Sequence, residues 1–241
     1  MSADEFQYLG SELELFAHAK NWKSYYERIL RPYIQGSVLE VGAGIGGTTQ
    51  ILSQRNQKIS KWTCLEPDAE MVNRLAALSN QVAVPLDIRK GYLSSLNSSE
   101  KFDCILYIDV LEHIEADAKE LELALSHLTP SGSLVILSPA HQSLFSAFDK
   151  AIGHFRRYDD QMLRDITPKG LHLEKILYLD SAGFFLSLAN RLLLHQSNPT
   201  LKQVRFWDRC IVPLSRITDP LCANKFGKSI VAIWKASSKT S

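Results

Sequence analysis

The fold is decided by the stretch Val38-Leu39-Glu40-Val41-Gly42-Ala43-Gly44-Ile45-Gly46-Gly47. An apolar run of strand length leads into Gly42, Gly44 and Gly47, which are spaced as G-x-G-x-x-G, and a helical stretch follows from Thr48. Such a turn lets the backbone approach a ligand closely and points the free amides of a helix N-terminus at it. The stretch therefore predicts the first strand, loop and helix of a ligand-binding α/β domain, although a tight turn without a ligand has the same spacing.

Further β-rich runs recur along the chain after the strand at 37–41. They occupy residues 62–65, 82–86, 102–108, 133–137, 173–179 and 229–234. Between the first five strands lie helical stretches at residues 48–54, 69–78 and 116–128. This alternation is typical of right-handed crossovers that build a parallel sheet. We predict an α/β fold with a doubly wound, mostly parallel sheet of seven strands.

The same pattern divides the chain into four parts. Residues 1–36 form a predicted helical cap, 37–180 the predicted cofactor-binding core, 181–227 a helical insertion, and 228–241 the final strand of the core and a tail. We expect the insertion to roof the acceptor site.

The apolar segments of the insertion, Phe184-Phe185-Leu186 and Leu192-Leu193-Leu194, are too short to span a bilayer. A dimer face, ordinary core packing, or a membrane contact helped by Lys202, Arg205 and Arg209 are the alternatives to a roof.

Bulk composition excludes several classes of function. Lys and Arg total 27 against 26 for Asp and Glu, so no global positive field attracts nucleic acid. The 4 cysteines are scattered and show neither a disulfide framework nor zinc-site spacing. The N-terminal residues have no signal-peptide pattern. We therefore expect a cytoplasmic protein that acts on a small molecule.

Acidic residues stand where strands lead into loops. Glu40 lies inside the first apolar strand, where a carboxylate needs a cationic or hydrogen-bonding partner. Glu66, Asp87 and Asp109 each follow a predicted strand. Open α/β sheets bind ligands outside the carboxyl ends of their strands, so these acids are predicted to face one site.

The segment Glu40-Val41-Gly42-Ala43-Gly44-Ile45-Gly46 resembles the first motif of the class I S-adenosylmethionine (SAM) methyltransferases, an acid followed by x-G-x-G-x-G. The resemblance implies SAM as the cofactor, with Glu40 and the glycines near its aminopropyl end. It further implies that Glu66 and Pro67 bind the ribose, that Asp87 and Ile88 bind the adenine, and that Asp109, which ends the segment from Phe102, lies beside the methionine moiety.

Two other functions fit part of this pattern. A nicotinamide oxidoreductase explains the glycines and Glu66, but it requires neither Glu40 nor the segment Asp109-Val110-Leu111-Glu112-His113. A SAM-binding protein that no longer transfers methyl groups would share the cofactor residues. We rank both below a methyltransferase.

The acceptor side is predicted from two segments rich in titratable groups. Asp109, Glu112 and His113 have i, i+3, i+4 spacing, which places them on one helical face. This element resembles the acid-x-x-Glu-His motif of the small-RNA 2′-O-methyltransferases, and that resemblance implies a divalent ion held also by His154. Acid–histidine pairs are equally similar to metal-free ubiquinone-pathway O-methyltransferases, and the first acid here is Asp, so we predict no metal.

Without a metal, His154 or His113 is the predicted general base or orienting donor, with Asp109 beside it. Arg156, Arg157, Tyr158 and Trp22 are the predicted acceptor contacts, although a solvated helix lead-in explains the arginines and a structural role explains His113.

The segments 139–149 and 153–158 are similar to those of type 11/12-like bacterial methyltransferases, some of which are joined to glycosyltransferases that act on lipid carriers. This similarity favours a hydrophobic, glycosylated or natural-product-like acceptor methylated at oxygen. Whether Tyr8, Trp22 and Tyr26 close over the cofactor stays open at this stage.

Overall fold

The computed structural model describes residues 12–54, 57–189 and 199–237. Seven strands in these residues form one sheet in the order β3-β2-β1-β4-β5-β7-β6. All pairs from β3 to β5 are parallel, and β7 runs antiparallel to both of its neighbours. The prediction of a seven-stranded, mostly parallel sheet is confirmed. The strands are β1 Gly36–Val41, β2 Ile59–Glu66, β3 Leu86–Lys90, β4 Phe102–Ile108, β5 Leu128–Pro139, β6 Leu171–Leu179 and β7 Ser229–Ala236.

Helices cover both faces of this sheet. They are α1 Glu12–Ala17, α2 Lys20–Leu30, α3 Gly47–Gln54, α4 Ala69–Ala76, α5 Asp117–Ser126, α6 Ala147–Ala151, α7 Asp160–Asp165, α8 Ser181–Ala189, α9 Leu201–Phe206 and α10 Val212–Leu221.

Alternation along the strands produces two apolar layers. On β1, Val38 packs in the layer that contains α2, and Leu39 packs in the opposite layer beneath α5. Because successive strand side chains point to opposite faces, a strand buried on both sides is apolar on both, as residues 104–108 of β4 are. Glu40 is therefore the residue of β1 that needs an explanation.

Capping side chains fix where helices begin beside the loops. Asp68 precedes α4 and accepts hydrogen bonds from the backbone amides of Glu70 and Met71. A carboxylate at this position satisfies free amides of the first helical turn. The β2–α4 turn, which carries Glu66, is thereby held in place.

One strand, β3, is displaced from its predicted position. β3 spans Leu86–Lys90 rather than 82–86, so Asp87 lies near the start of β3, opposite Thr63, and not at the carboxyl edge. The physical reason is that β3 is an edge strand. There Asp87 accepts hydrogen bonds from Lys61 (2.7 Å) and from Arg89 Nη2 (2.8 Å). Charged residues that pair along an exposed edge do not produce the apolar run on which the prediction depended.

The insertion between β6 and β7 is mostly helical in its described residues. α8 follows β6, and residues 201–221 form a continuous helix in which a π-helical turn, Trp207–Ile211, joins α9 to α10. No helix in the described ranges is long and apolar enough to cross a membrane. Tyr8 and Leu192-Leu193-Leu194 lie outside the described residues.

Candidate active site

The loop from Gly42 to Gly46 turns sharply between β1 and α3. Gly42, Gly44 and Gly46 all have positive φ angles, a conformation that favours glycine. A Cβ on Gly42 would lie 2.7 Å from a methyl group of Val110, so this position also requires the absence of a side chain. The loop thus exposes backbone at the carboxyl edge of the sheet.

Glu40 has hydrogen-bonding partners inside the protein. Its carboxylate is 2% exposed and accepts hydrogen bonds from Thr49 Oγ1 (2.6 Å) and Trp62 Nε1 (2.9 Å). Burial raises the pKa of Glu40 to about 7, although these two hydrogen bonds oppose the shift. The partners that the Glu40 carboxylate requires inside this apolar strand are therefore the hydroxyl of Thr49 and the indole N–H of Trp62.

Glu66 ties the glycine loop to the neighbouring turn. It ends β2, and its two carboxylate oxygens accept hydrogen bonds from the amides of Gly44 (2.8 Å) and Asp68 (2.9 Å). Burial raises the pKa of the Glu66 carboxyl group. The predicted ribose-binding acid thus lies at the predicted edge, with Pro67 directly after it and with backbone amides as its present partners.

Lys23 is a site residue that the sequence analysis missed. It comes from α2, and its Nζ lies 2.5 Å from the point that a Cβ on Gly47 would occupy. Burial lowers the pKa of Lys23, while Asp109 and Glu40 act in the opposite direction. A lysine among the aromatic residues of a predicted cap helix was the available signal. Lys23 places a cation over the start of α3, where it interacts electrostatically with Asp109, Glu40 and Asp208.

The cap helix itself contacts the loop region through its aromatic side chains. The hydroxyl groups of Tyr26 and Thr48 lie 3.1 Å apart. Trp22 is buried against Tyr25, Tyr26 and Trp207, so its ring is part of the core, and its contact with the acceptor stays a prediction.

At the end of β4 the chain turns through Asp109, whose φ of 54° is unusual for a residue with a side chain. Its amide donates a hydrogen bond to the Leu137 carbonyl (2.8 Å), and the residue is exposed. Lys23, His154 and Lys228 all interact electrostatically with its carboxyl group. Asp109 therefore lies beside the glycine loop with cations around it.

Glu112, His113 and His154 form a cluster next to Asp109. Their potential ligand atoms lie within 4.8 Å of one another, and the two imidazole rings are 4.5 Å apart at their centroids. Glu112 and His113 belong to a short helical turn, Leu111–His113. The sequence predicted that these residues share a face, and the turn brings them together with His154.

The hydrogen bonds of this cluster leave two atoms facing each other. His154 Nδ1 lies 3.0 Å from Asp149 Oδ1, and His154 Nε2 lies 3.9 Å from Glu112 Oε1. Glu112 is fully buried; its Oε2 accepts from Ser138 Oγ (3.0 Å), and its Oε1 has no hydrogen-bond partner among the described residues. Since 3.9 Å is too long for a hydrogen bond, the two atoms share no proton, and the gap between them is wide enough for a cation.

Burial sets the protonation of the cluster. Burial and the nearby Asp109 raise the pKa of Glu112 well above its usual range. Burial and His154 lower the pKa of His113 to about 4, so His113 is neutral near pH 7. Although burial acts to raise it, hydrogen bonds from His154 and Arg157 hold the pKa of Asp149 well below its usual range. Asp149 is thus ionised, and it accepts a hydrogen bond from the N–H at Nδ1 of His154.

The segment from His154 to Tyr158 is fastened to the protein by internal ion pairs. Arg156 pairs with Asp117, and Arg157 binds both oxygens of Asp149 (2.8 and 3.0 Å). Tyr158 is fully buried and donates to Asp117 (2.8 Å), so its hydroxyl has a partner inside the protein, and its contact with an acceptor stays a prediction. These residues hold His154 in place instead of reaching into an open cleft.

The carboxyl end of β3 contributes a second residue that was missed. Because Asp87 lies at the other end of the strand, the edge next to Glu66 is formed by Gly91, whose amide donates to the Glu66 carbonyl (3.0 Å), and by the exposed ring of Tyr92. An aromatic ring at this edge is suited to stack on a planar group.

Parts of the chain are similar in sequence to known methyltransferases. Residues 39–134 match a family model described as a methyltransferase domain. The chain is 27% identical over 149 residues to an uncharacterized methyltransferase of Staphylococcus carnosus (strain TM300), covering 61% of the chain and 66% of the relative. It is also 27% identical over 106 residues to a ubiquinone biosynthesis O-methyltransferase of Paramagnetospirillum magneticum (strain ATCC 700264 / AMB-1), covering 44% of the chain and 41% of that relative.

The fold has the same architecture as solved methyltransferases. The N-methyltransferase NodS from Bradyrhizobium japonicum WM9, in complex with S-adenosyl-L-homocysteine, superposes with a TM-score of 0.57 at 12% identity, covering 90% of this chain and 88% of that one. The chain therefore has the fold of these methyltransferases, and residues 39–134 match the methyltransferase-domain family model.

Proposed function

We propose that this protein transfers the methyl group of SAM to an oxygen atom of a small-molecule acceptor. The observation that carries the proposal is the cluster of Asp109, His113 and His154 with buried Glu112, which adjoins the glycine loop at the carboxyl edge of the sheet. The likeness to a ubiquinone biosynthesis O-methyltransferase supports oxygen as the acceptor atom.

For the cofactor, we propose that the methionine end of SAM lies between the glycine loop and Asp109. Lys23 supplies a cation for the carboxylate of SAM beside the N-terminus of α3, where free amides also favour an anion. Asp109 and Glu40 supply negative charge near its amino group. Glu66 meets the ribose hydroxyls, and Tyr92 replaces Asp87 and Ile88 as the residue nearest the adenine.

For the acceptor, we propose His154 as the general base. Methyl transfer is a displacement at carbon: the acceptor oxygen forms a bond to the methyl group, and the bond from carbon to the sulfonium sulfur breaks. The proton of the acceptor hydroxyl goes to His154 Nε2, which carries a lone pair because Nδ1 donates to Asp149. Asp149 and Arg157 orient the imidazole.

The same cluster also has the donor set of a divalent cation site. Two imidazoles and a carboxylate suit such ions, and the unpartnered Glu112 Oε1 opposite His154 Nε2 fits an ion that both atoms would hold. An ion bound there would supply a positive charge to the acceptor oxygen and would occupy the lone pair of the proposed base. Elemental analysis and activity after chelation distinguish these roles, because full activity without divalent ions rules out the metal.

We propose that α8 to α10 roof the acceptor pocket, with an apolar, glycosylated or natural-product-like acceptor beneath them. The experiment that tests the function has two stages. Calorimetry with SAM, S-adenosylhomocysteine and NAD should show binding of the first two alone, and radioactive methyl transfer from SAM into a cell extract should label a small molecule. NAD binding without SAM binding would make the protein an oxidoreductase, and SAM binding without transfer would make it a sensor.

A further inference from the structure

The helix from Leu201 to Leu221 has an outer face that the described residues leave exposed. Its inner face packs into the core through Val204, Trp207 and Val212, all of them buried. A helix of this length is about 30 Å long. The outer face is therefore a long strip of surface on one side of the molecule.

Apolar side chains run along this outer face at intervals of three or four residues. Phe206, Leu214, Ile217 and Leu221 are 53%, 48%, 62% and 80% exposed, and Cys210 is exposed between them. Residues at these intervals lie along one side of a helix. Phe185 and Leu186 of the adjacent α8 are also exposed. Exposed apolar residues that line up in this way mark an interaction site.

Positive charge lies beside the apolar strip. Lys202, Arg205 and Arg209 are all exposed, and they also recur at intervals of three and four residues. They belong to the same helix, so the strip and the cations form a single amphipathic surface. A protein with a formal net charge of +1 thus has a concentrated cationic patch here.

The two acidic residues of the helix point inwards. Asp208 accepts a hydrogen bond from the Trp22 amide (2.9 Å), and Asp219 accepts from the hydroxyl of Tyr25 (2.8 Å) and the amide of Asp180 (2.8 Å). Both carboxylates are buried. Among residues 199–237, which contain no other Asp or Glu, the exposed charges are therefore all positive.

We propose that the outer face of the helix Leu201–Leu221 rests on the surface of an anionic lipid bilayer. The apolar strip would enter the boundary between headgroups and acyl chains, and Lys202, Arg205 and Arg209 would lie at the level of the lipid phosphates. The helix lies in the plane of the surface and does not cross it. A second copy fits less well, because a two-fold contact through this face would bring its own cations together.

The proposal is tested by co-sedimentation of the full chain with vesicles. Vesicles rich in phosphatidylglycerol should bind the protein at least about tenfold more strongly than phosphatidylcholine vesicles, since each cation near an anionic surface contributes to binding. Raising the salt concentration should weaken the binding. No binding to the anionic vesicles, or equal binding to both kinds, would overturn the proposal.

Two double variants of the helix and a control with the same change of charge test which surface binds the vesicles. Leu214→Ser/Ile217→Ser and Arg205→Glu/Arg209→Glu should each reduce vesicle binding at least about tenfold while leaving SAM binding intact. Lys119→Glu/Lys169→Glu changes the charge equally at exposed positions outside the insertion and should bind as the unmodified protein does. If the control loses binding equally, or if light scattering shows a dimer that only the Leu214→Ser/Ile217→Ser variant dissociates, the lipid assignment is wrong.

Discussion

At the scale of single residues, the cluster around His154 depends on which atoms carry protons. Asp149 accepts a hydrogen bond from Nδ1 of His154. Nε2 then faces Glu112 Oε1, which has no hydrogen-bond partner among the described residues. The sequence could predict the residue types in this cluster, because Asp109, Glu112 and His113 lie close together in the chain. It could not predict Asp149, which meets His154 only because Ser146 and Asp149 form a capping box at the start of α6.

His154→Ala should lower kcat about 100-fold or more and leave the Kd for SAM within about twofold, because the base acts on the acceptor and not on the cofactor. Asp149→Asn should also lower kcat, since it removes the anion that orients the ring. The comparison is made in single-turnover assays, with His172→Ala, an exposed histidine on β6, as the control. Unchanged turnover of His154→Ala on the true acceptor would remove this residue from the mechanism.

Glu40 should make stability depend on pH. Its pKa is raised from 4.5 to about 7, so the folded protein binds this proton more tightly than the unfolded chain does. The stabilising contribution is complete below about pH 4.5 and is lost as the pH rises through about 7. Glu40→Gln should lack this component. In urea unfolding without cofactor, the free energy of unfolding of the unmodified protein should therefore fall, relative to that of Glu40→Gln, by on the order of 3 kcal/mol between pH 4.5 and about 7. Parallel pH profiles for the two proteins would contradict the prediction.

At the scale of elements, the glycine loop works together with the cap helix. Gly47 leaves room for Lys23 of α2, and a Cβ there would meet the movable end of that lysine and not the backbone. The same element shows the limit of sequence reasoning. The spacing of the glycines predicts the loop, but the residue that lies above Gly47 comes from a helix outside the motif.

Gly47→Ala should weaken SAM binding about tenfold with little loss of stability, because the new methyl group displaces the Lys23 ammonium. Lys23→Met should weaken binding by a similar factor. Calorimetry on the double variant is decisive: if both changes act through one contact, their effects should not add. Additive losses would show that Gly47 acts independently of Lys23.

The hydrogen bonds and ion pairs of the segment from His154 to Tyr158 should contribute to the stability of the fold. Tyr158→Phe removes the donor to buried Asp117 and should lower the free energy of unfolding by about 1 to 3 kcal/mol without changing the KM for the acceptor. Phe155→Ser, at an exposed neighbouring position, is the control for stability. A raised KM with unchanged stability would instead support Tyr158 as an acceptor contact. The partner of this hydroxyl is 41 residues away in sequence, which is why local pattern could not reveal it.

At the scale of the whole molecule, periodicity predicts the sheet because its central strands are buried on both faces. β4 has the predicted bounds, whereas the edge strand β3 is displaced because Asp87 and Arg89 pair along its exposed side. The cofactor is thus predictable from motifs in the central strands, and the acceptor is not, because the insertion proposed to roof it has no motif of its own.

Ligand binding should be visible in global stability. SAM at about 100 times its Kd should increase the free energy of unfolding by about 2.7 kcal/mol, because it binds the folded chain alone. Thermal unfolding followed with SAM and with NAD at equal concentration is the measurement. Stabilisation by NAD and not by SAM would refute the cofactor assignment.

The position of β7 has a consequence for how the protein is made. β7 lies between β5 and β6, and β6 has no other strand neighbour in the described sheet. While the ribosome is still adding residues 229–236, β6 has nothing to pair with and the apolar edge of β5 is open. The sheet therefore closes only after synthesis has passed this point, and until then the nascent chain depends on the remaining parallel strands for its order.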